Sequence, residues 1–108
     1  MTRTPQEVLR EARTHFVLMR QHAQGDLADQ LVIDAVCMRL SAAVEALARL
    51  DTPTRDQLFG DAWPLMWGMR NRIAHGYLLV NTDIVRRTLQ HDIPPIMARI
   101  DAELTDAG

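Results

Sequence analysis

Apolar residues recur at intervals of three or four along most of the chain. Val8, Ala12, Phe16, Met19 and Ala23 form one stripe, which predicts an amphipathic helix over residues 4 to 24. Arg3, Arg10, Arg13 and Arg20 fall on the other side. Gly25 and Asp26 make the first break, and a second helix is expected from about Leu27 to Leu50. Its main stripe is Ile33, Val36, Cys37, Leu40, Val44 and Leu47. Leu31, Ala35, Ala42, Ala43 and Ala46 make much of its remaining surface small and apolar. A helix apolar on more than one side is buried on more than one side, and in so short a chain a second subunit is one way to cover it.

The segment D-T-P-T-R-D-Q-L-F-G reads as a short connecting helix, with Thr52 as N-cap, Pro53 at the first helical position and Gly60 as the stop. Asp61 is placed to cap the next helix, about Ala62 to Gly76. Asn81 or Thr82 then opens a last helix. Pro94 and Pro95 interrupt it, because proline lacks the N–H that a helix interior needs; a kink and a final turn through Ile100 are expected. No stretch alternates with period two for long, and L-L-V at 78 to 80 is too short for a strand. The expectation is an all-α protein.

At 108 residues the chain reads as one domain, 1–108. Hydrophobic residues at 47% and charged residues at 24% are ordinary globular values. No apolar run approaches the roughly 18 residues that span a bilayer, and M-T-R-T-P-Q-E-V lacks the apolar centre of a signal peptide, so no membrane association and a cytoplasmic location are expected. The lone Cys37 can form no internal disulfide and reads as a small core residue. The net charge of −2 argues against broad nonspecific nucleic-acid binding. It hides an uneven distribution: residues 65 to 100 carry five arginines against Asp83 and Asp92, a net of +3. All twelve cationic residues are arginine, the better phosphate clamp because its planar fork offers paired donors. The arginine side of the first helix is therefore either a solvated face or a surface that helps hold RNA phosphates. His15 and His22 flank the first stripe without a third residue spaced to complete a metal site.

Met69 to Tyr77, M-R-N-R-I-A-H-G-Y, gathers a residue set that a core would not need. In a regular helix Asn71 and His75 lie one turn apart on one face, whereas Arg70 and His75 are about 140° apart. Arg70 must then reach around the helix or meet its target across a second subunit. Gly76 lets the chain turn after His75 and leaves room for a ligand. Histidine beside arginine suits metal-free RNA cleavage: imidazole can take the proton of a ribose 2′-hydroxyl or donate one to the leaving oxygen, and arginine can stabilise the phosphorane. The alternative for these residue types is a structural hydrogen-bond network. Glu45, in S-A-A-V-E-A-L-A, could orient a catalytic arginine or serve as a surface or interface salt bridge.

Arg70-Asn71-Arg72-Ile73-Ala74-His75-Gly76-Tyr77 fits R-x-x-x-x-H-x-Y and resembles the signature of HEPN-domain ribonuclease toxins of the HepT type. Trp63 followed five residues on by G-M-R-N, then V-N-T-D-I-V and H-D-I-P-P, is similar to that family's usual order. Pieces of helix two are similar more weakly. Pro64 and Arg86 depart from the pattern, at positions where a charged residue and an aromatic are common. The resemblance implies an antiparallel HEPN-type bundle of four main helices plus a short connecting helix, forming a homodimer with two motifs at a shared cleft. It implies that Arg70 and His75 are catalytic, that Asn71 supports the site, and that Tyr77 is the residue modified by AMP transfer. The implied activity is metal-independent endoribonuclease cleavage of tRNA or mRNA with no cofactor. The implied partner is a minimal nucleotidyltransferase antitoxin. Two other readings compete: a noncatalytic substrate-binding subunit for a nucleotidyltransferase, and a helical dimer with a scaffolding role. Neither accounts for the intact motif.

Overall fold

The structure, a computed structural model, describes residues 3–76 and 81–106, and every regular element among them is helical. The L-L-V stretch lies outside the described residues. Helix α1 (Pro5–His22) opens on a capping box: the Thr4 hydroxyl accepts from the Glu7 N–H at 3.1 Å, and the Glu7 carboxylate accepts from the Thr4 N–H at 3.3 Å. Helix α2 (Gln30–Leu47) is shorter at both ends than the expected 27–50. Asp26 draws the Ala28 N–H at 2.9 Å into a turn, and Asp29 then caps the helix through the Leu31 N–H, also at 2.9 Å. Short polar side chains that compete for nearby amides delay a helix start in this way. At the other end Arg49 and Leu50 donate three residues back, to Ala46 and Leu47, which closes the last turn tightly.

Helix α3 (Thr52–Phe59) is capped by Asp51, not Thr52; the Asp51 carboxylate accepts from the Thr54 N–H at 2.8 Å. Hydrogen bonding with the Thr54 side chain first, and with its backbone N–H second, holds the Asp51 pKa below the usual value. Thr52 and Pro53 therefore both sit in the first turn, where proline leaves no extra amide unpaired. Gly60, at φ 50°, ends the helix as expected. Helix α4 (Ala62–Gly76) follows through a turn closed by the Trp63 N–H on the Gly60 carbonyl at 3.1 Å, without the expected Asp61 side-chain cap. Asn81 caps α5 (Thr82–Arg87), whose helix passes through a π-helical turn, Thr88–Asp92, into α6 (Ile93–Asp106). The prolines thus produce a π segment where a kink was expected, and the helix runs six residues beyond Ile100.

Counting the α5 to α6 segment as one, the fold is an all-α bundle of four main helices and the short α3. Helices α1 and α2 pair antiparallel, with Arg39 Nη1 donating to His15 Nδ1 at 3.2 Å and Arg49 donating to Glu11 at 3.0 Å. Helix α6 packs on α1, where Arg13 meets Asp101 at 2.6 Å. The core is built of Leu9, Phe16, Met19, Val36, Val44, Leu47, Phe59, Ile93 and Ile100, all fully buried or nearly so. Every member of the expected α2 main stripe is buried. On its second side Ala43 and Ala46 are also buried within this chain, while Leu31 and Met38 stay 78% and 69% exposed.

Phe16 is the largest fully buried side chain. Phe16→Ala is expected to cost about 3–5 kcal/mol of folding stability, measured by urea unfolding. A loss below about 1 kcal/mol would mean that the α1–α2 contact does not depend on it.

Candidate active site on helix α4

Successive residues of an α-helix are turned by about 100°, so α4 can be divided into faces. Met66 and Ile73 point into the core and are buried. Trp63, Trp67 and Arg70 follow at i, i+4 and i+7 and share one flank. Pro64, Gly68, Arg72 and His75 share the side turned away from that flank. Arg70 and His75 remain about 140° apart, as the spacing requires, and no hydrogen bond joins them. Within one chain they do not converge.

Arg70 is held from three directions. Its Nε and Nη2 donate to Glu45 Oε1 of α2, at 3.0 and 2.5 Å, and its Nη1 donates to Asn71 Oδ1 at 3.1 Å. Its guanidinium carbon lies 5.0 Å from the Trp67 ring centre. Trp67 in turn stacks on Trp63, with centres 5.7 Å apart and planes 25° from parallel, and Arg55 of α3 caps the far end 4.5 Å from the Trp63 ring. Arg55, Trp63, Trp67 and Arg70 thus form a ladder of alternating contacts from α3 to the motif. With the Arg70 side chain 25% exposed and Glu45 50% exposed, the ion pair is screened and contributes little to stability, about 1 kcal/mol or less. Its consequence is orientation. One N–H on each terminal nitrogen remains available, a fork suited to a phosphate.

Asn71 reaches Arg70 directly, which gives it a positioning contact. His75 is exposed near the end of α4 and has no hydrogen-bond partner among the described residues. Tyr77 lies outside the described residues. Cys37 is buried, and desolvation together with nearby Asp34 pushes its thiol up to about 11; it remains a protonated core residue at neutral pH. Among the described residues, no three histidines, cysteines or carboxylates gather as a metal site. Sequence reasoning missed Trp67 and Arg55. The i, i+4, i+7 spacing of Trp63, Trp67 and Arg70 was the signal for the first, while Arg55 comes from another helix and left none.

Residues 7–103 match the model of a family described as ribonuclease HepT-like. The chain belongs to the HepT-like ribonuclease family. The match runs from the first turn of α1 into α6 and includes Glu45 and the span from Arg70 to His75. No curated protein and no solved structure matches the chain. In this HepT-like ribonuclease, helix α4 thus carries an arginine fixed by a carboxylate and an amide on one flank and an exposed imidazole on the other side.

Glu45→Ala should leave thermal unfolding nearly unchanged, because the pair is partly exposed, yet reduce RNA cleavage about tenfold or more by freeing Arg70. Equal cleavage by the variant would show that the Glu45 contact does not organise the site.

Proposed function

We propose that the protein is a metal-independent endoribonuclease toxin, acting on tRNA or mRNA, with Arg70 and His75 as its catalytic residues. The observation that carries this reading is the fixed orientation of Arg70 by Glu45, Asn71 and Trp67, one and a half turns before an exposed His75 on the same helix. Membership in the ribonuclease family supports it. In the proposed reaction His75 accepts the proton of a ribose 2′-hydroxyl, and the 2′-oxygen attacks the adjacent phosphorus. The bond from phosphorus to the 5′-oxygen breaks, and that oxygen takes the proton from the His75 imidazolium, which returns to neutral imidazole. The products are a 2′,3′-cyclic phosphate and a 5′-hydroxyl end. Arg70 neutralises the extra charge of the phosphorane.

Because Arg70 and His75 face apart on α4, the proposal places the reaction between two copies, each giving one residue to a phosphate. The exposed Leu31 and Met38 on the outer side of α2 support a homodimer. Met38 lines a groove of about 360 Å³ together with Ser41, Ala42, Glu45 and Ile73. A second copy seated there would lie next to the Arg70–Glu45 pair.

Arg70→Ala and His75→Ala should each abolish cleavage of RNA, assayed in EDTA, with helical circular dichroism unchanged. Mixing the two inactive variants should restore activity, because a mixed dimer holds one complete pair. Cleavage by either single variant at the parental rate refutes its assignment. Failure of the mixture to recover refutes the shared site, and RNA binding without cleavage by the parent protein would favour a noncatalytic subunit.

The proposed control is AMP transfer to Tyr77 by a minimal nucleotidyltransferase antitoxin. The adduct places a phosphate two residues from His75, where it competes with RNA phosphate and repels the polyanion. Incubation with such an enzyme and ATP should add adenylyl mass to Tyr77, the only tyrosine, and silence cleavage. Tyr77→Phe should accept no adduct and keep cutting. A modified protein that still cuts normally would show that the hydroxyl is not the control point.

A further inference from the structure

The twelve arginines divide sharply by partner. Arg3, Arg13, Arg49, Arg70 and Arg86 are in ion pairs. Arg39 donates to His15, Arg99 donates to the Phe59 carbonyl, and Arg55 sits over Trp63. Among the described residues, Arg10, Arg20, Arg72 and Arg87 have no such contact. Two of these four, Arg72 of α4 and Arg87 of α5, are exposed and line one groove of about 500 Å³ between the two helices. It is also lined by the apolar Pro64, Leu65, Met69 and Ile84, by Thr88 and by a single carboxylate, Asp92.

Gly68 is exposed and lines this groove. A glycine inside a helix costs about 1 kcal/mol relative to alanine, and close packing usually accounts for one. Here nothing lies within 4 Å of the position a Cβ would take, so the neighbouring helices do not require it. The missing side chain leaves open space beside Arg72, one turn further along. His75 lies on this same side of α4, about 4.5 Å along the axis beyond Arg72. The groove is therefore continuous in direction with the imidazole and faces away from Arg70.

We propose that the groove between α4 and α5 is a docking track for the backbone of single-stranded RNA, with Arg72 and Arg87 gripping phosphates and Gly68 admitting the strand. This rests on the ribonuclease reading and extends it by assigning the strand a path to His75. Arg70 would then meet the scissile phosphate from the second copy. Arg72 and Arg87, without ion pairs among the described residues, outweigh Asp92 and together attract a phosphate. The first-helix arginines, the other surface considered for phosphates, are partly committed elsewhere, since Arg3 and Arg13 are ion-paired.

The test measures binding of a fluorescein-labelled single-stranded RNA by anisotropy across a salt series, together with steady-state cleavage. The double variant Arg72→Gln with Arg87→Gln should weaken binding about tenfold or more and flatten the slope of log K against log salt by about 1.4, as two lost phosphate contacts require. KM should rise with kcat changed less than about threefold. Gly68→Ala should raise the melting temperature yet weaken binding, a pairing that general destabilisation cannot produce. Arg10→Gln with Arg20→Gln, which removes the same charge from α1, should change binding less than about twofold. Parental cleavage with binding and KM unaltered in the groove variant overturns the track and leaves the ribonuclease reading standing. An equal loss in the α1 variant overturns it in favour of a diffuse field, and a fall confined to kcat assigns the arginines to chemistry instead. A parent protein that neither binds nor cuts the RNA overturns both readings.

Discussion

The burial of α2 between α1 and α4 is the constraint on which the rest of the structure depends. Residues Ile33, Val36, Leu40, Val44 and Leu47 are 0 to 5% exposed, and a helix enclosed along this whole stripe leaves its neighbours few ways to pack. On one side α1 lies antiparallel, with Leu9, Phe16 and Met19 filling the contact. On the other, α4 comes in with Met66 near Leu40 and Ile73 beside Cys37 and Ser41. Glu45 lies between the buried Ala43 and Ala46 and emerges half exposed at the α4 boundary, where Arg70 meets it. The apolar contact thus sets the position of the carboxylate, and the carboxylate sets the direction of the guanidinium. The ion pair itself adds little stability in water; its value lies in where the packing puts it.

Helix α4 carries the consequences. Its core side holds the bundle together, one flank is locked by the tryptophan ladder and Glu45, and the opposite side is left with Gly68, Arg72 and His75 unconstrained. A helix selected for stability alone would fill that side with alanine and paired charges. Instead it keeps a glycine without a packing reason and an imidazole without a partner among the described residues. Sites where local rules are broken without a structural return are where function is expected. The separation of Arg70 from His75 belongs to the same pattern, since two residues of one chain on different sides of a helix can act on one phosphate when a second copy supplies one of them.

Much of this was legible in the sequence because it rests on periodicity and on residues with a single backbone meaning. The stripes of α1 and α2, the break at Gly25, the stop at Gly60 and the span of α4 all followed from apolar spacing and glycine. The start of α2 did not, because two aspartates, Asp26 and Asp29, offer equivalent caps and only the folded chain shows that the later one opens the helix. The same ambiguity between Asp51 and Thr52 misplaced a cap by one residue. At the site, the motif was visible as a cluster and its 140° split as arithmetic. The Glu45 contact stayed open because 25 residues separate it from Arg70, and nothing in spacing states which carboxylate a distant arginine will meet.

The π-helical turn joins these features to the prolines. At Pro94 and Pro95 an α-helix would lose two donors and press the rings on the carbonyls of Gln90 and His91. The chain avoids this by winding wider just before them, so that the Ile93 N–H bonds back to the Thr88 carbonyl five residues earlier. In a regular α-helix Thr88 and Ile93 would be about 140° apart; the longer bond stacks them, and both are buried. Thr88 can be buried because its hydroxyl donates to the Ile84 carbonyl at 2.9 Å. In the same register Arg87, His91 and Asp92 are exposed, and Arg87 lines the groove with Arg72. The wider turn thus accommodates the two prolines while buried Thr88, directly after Arg87, anchors the chain to the core.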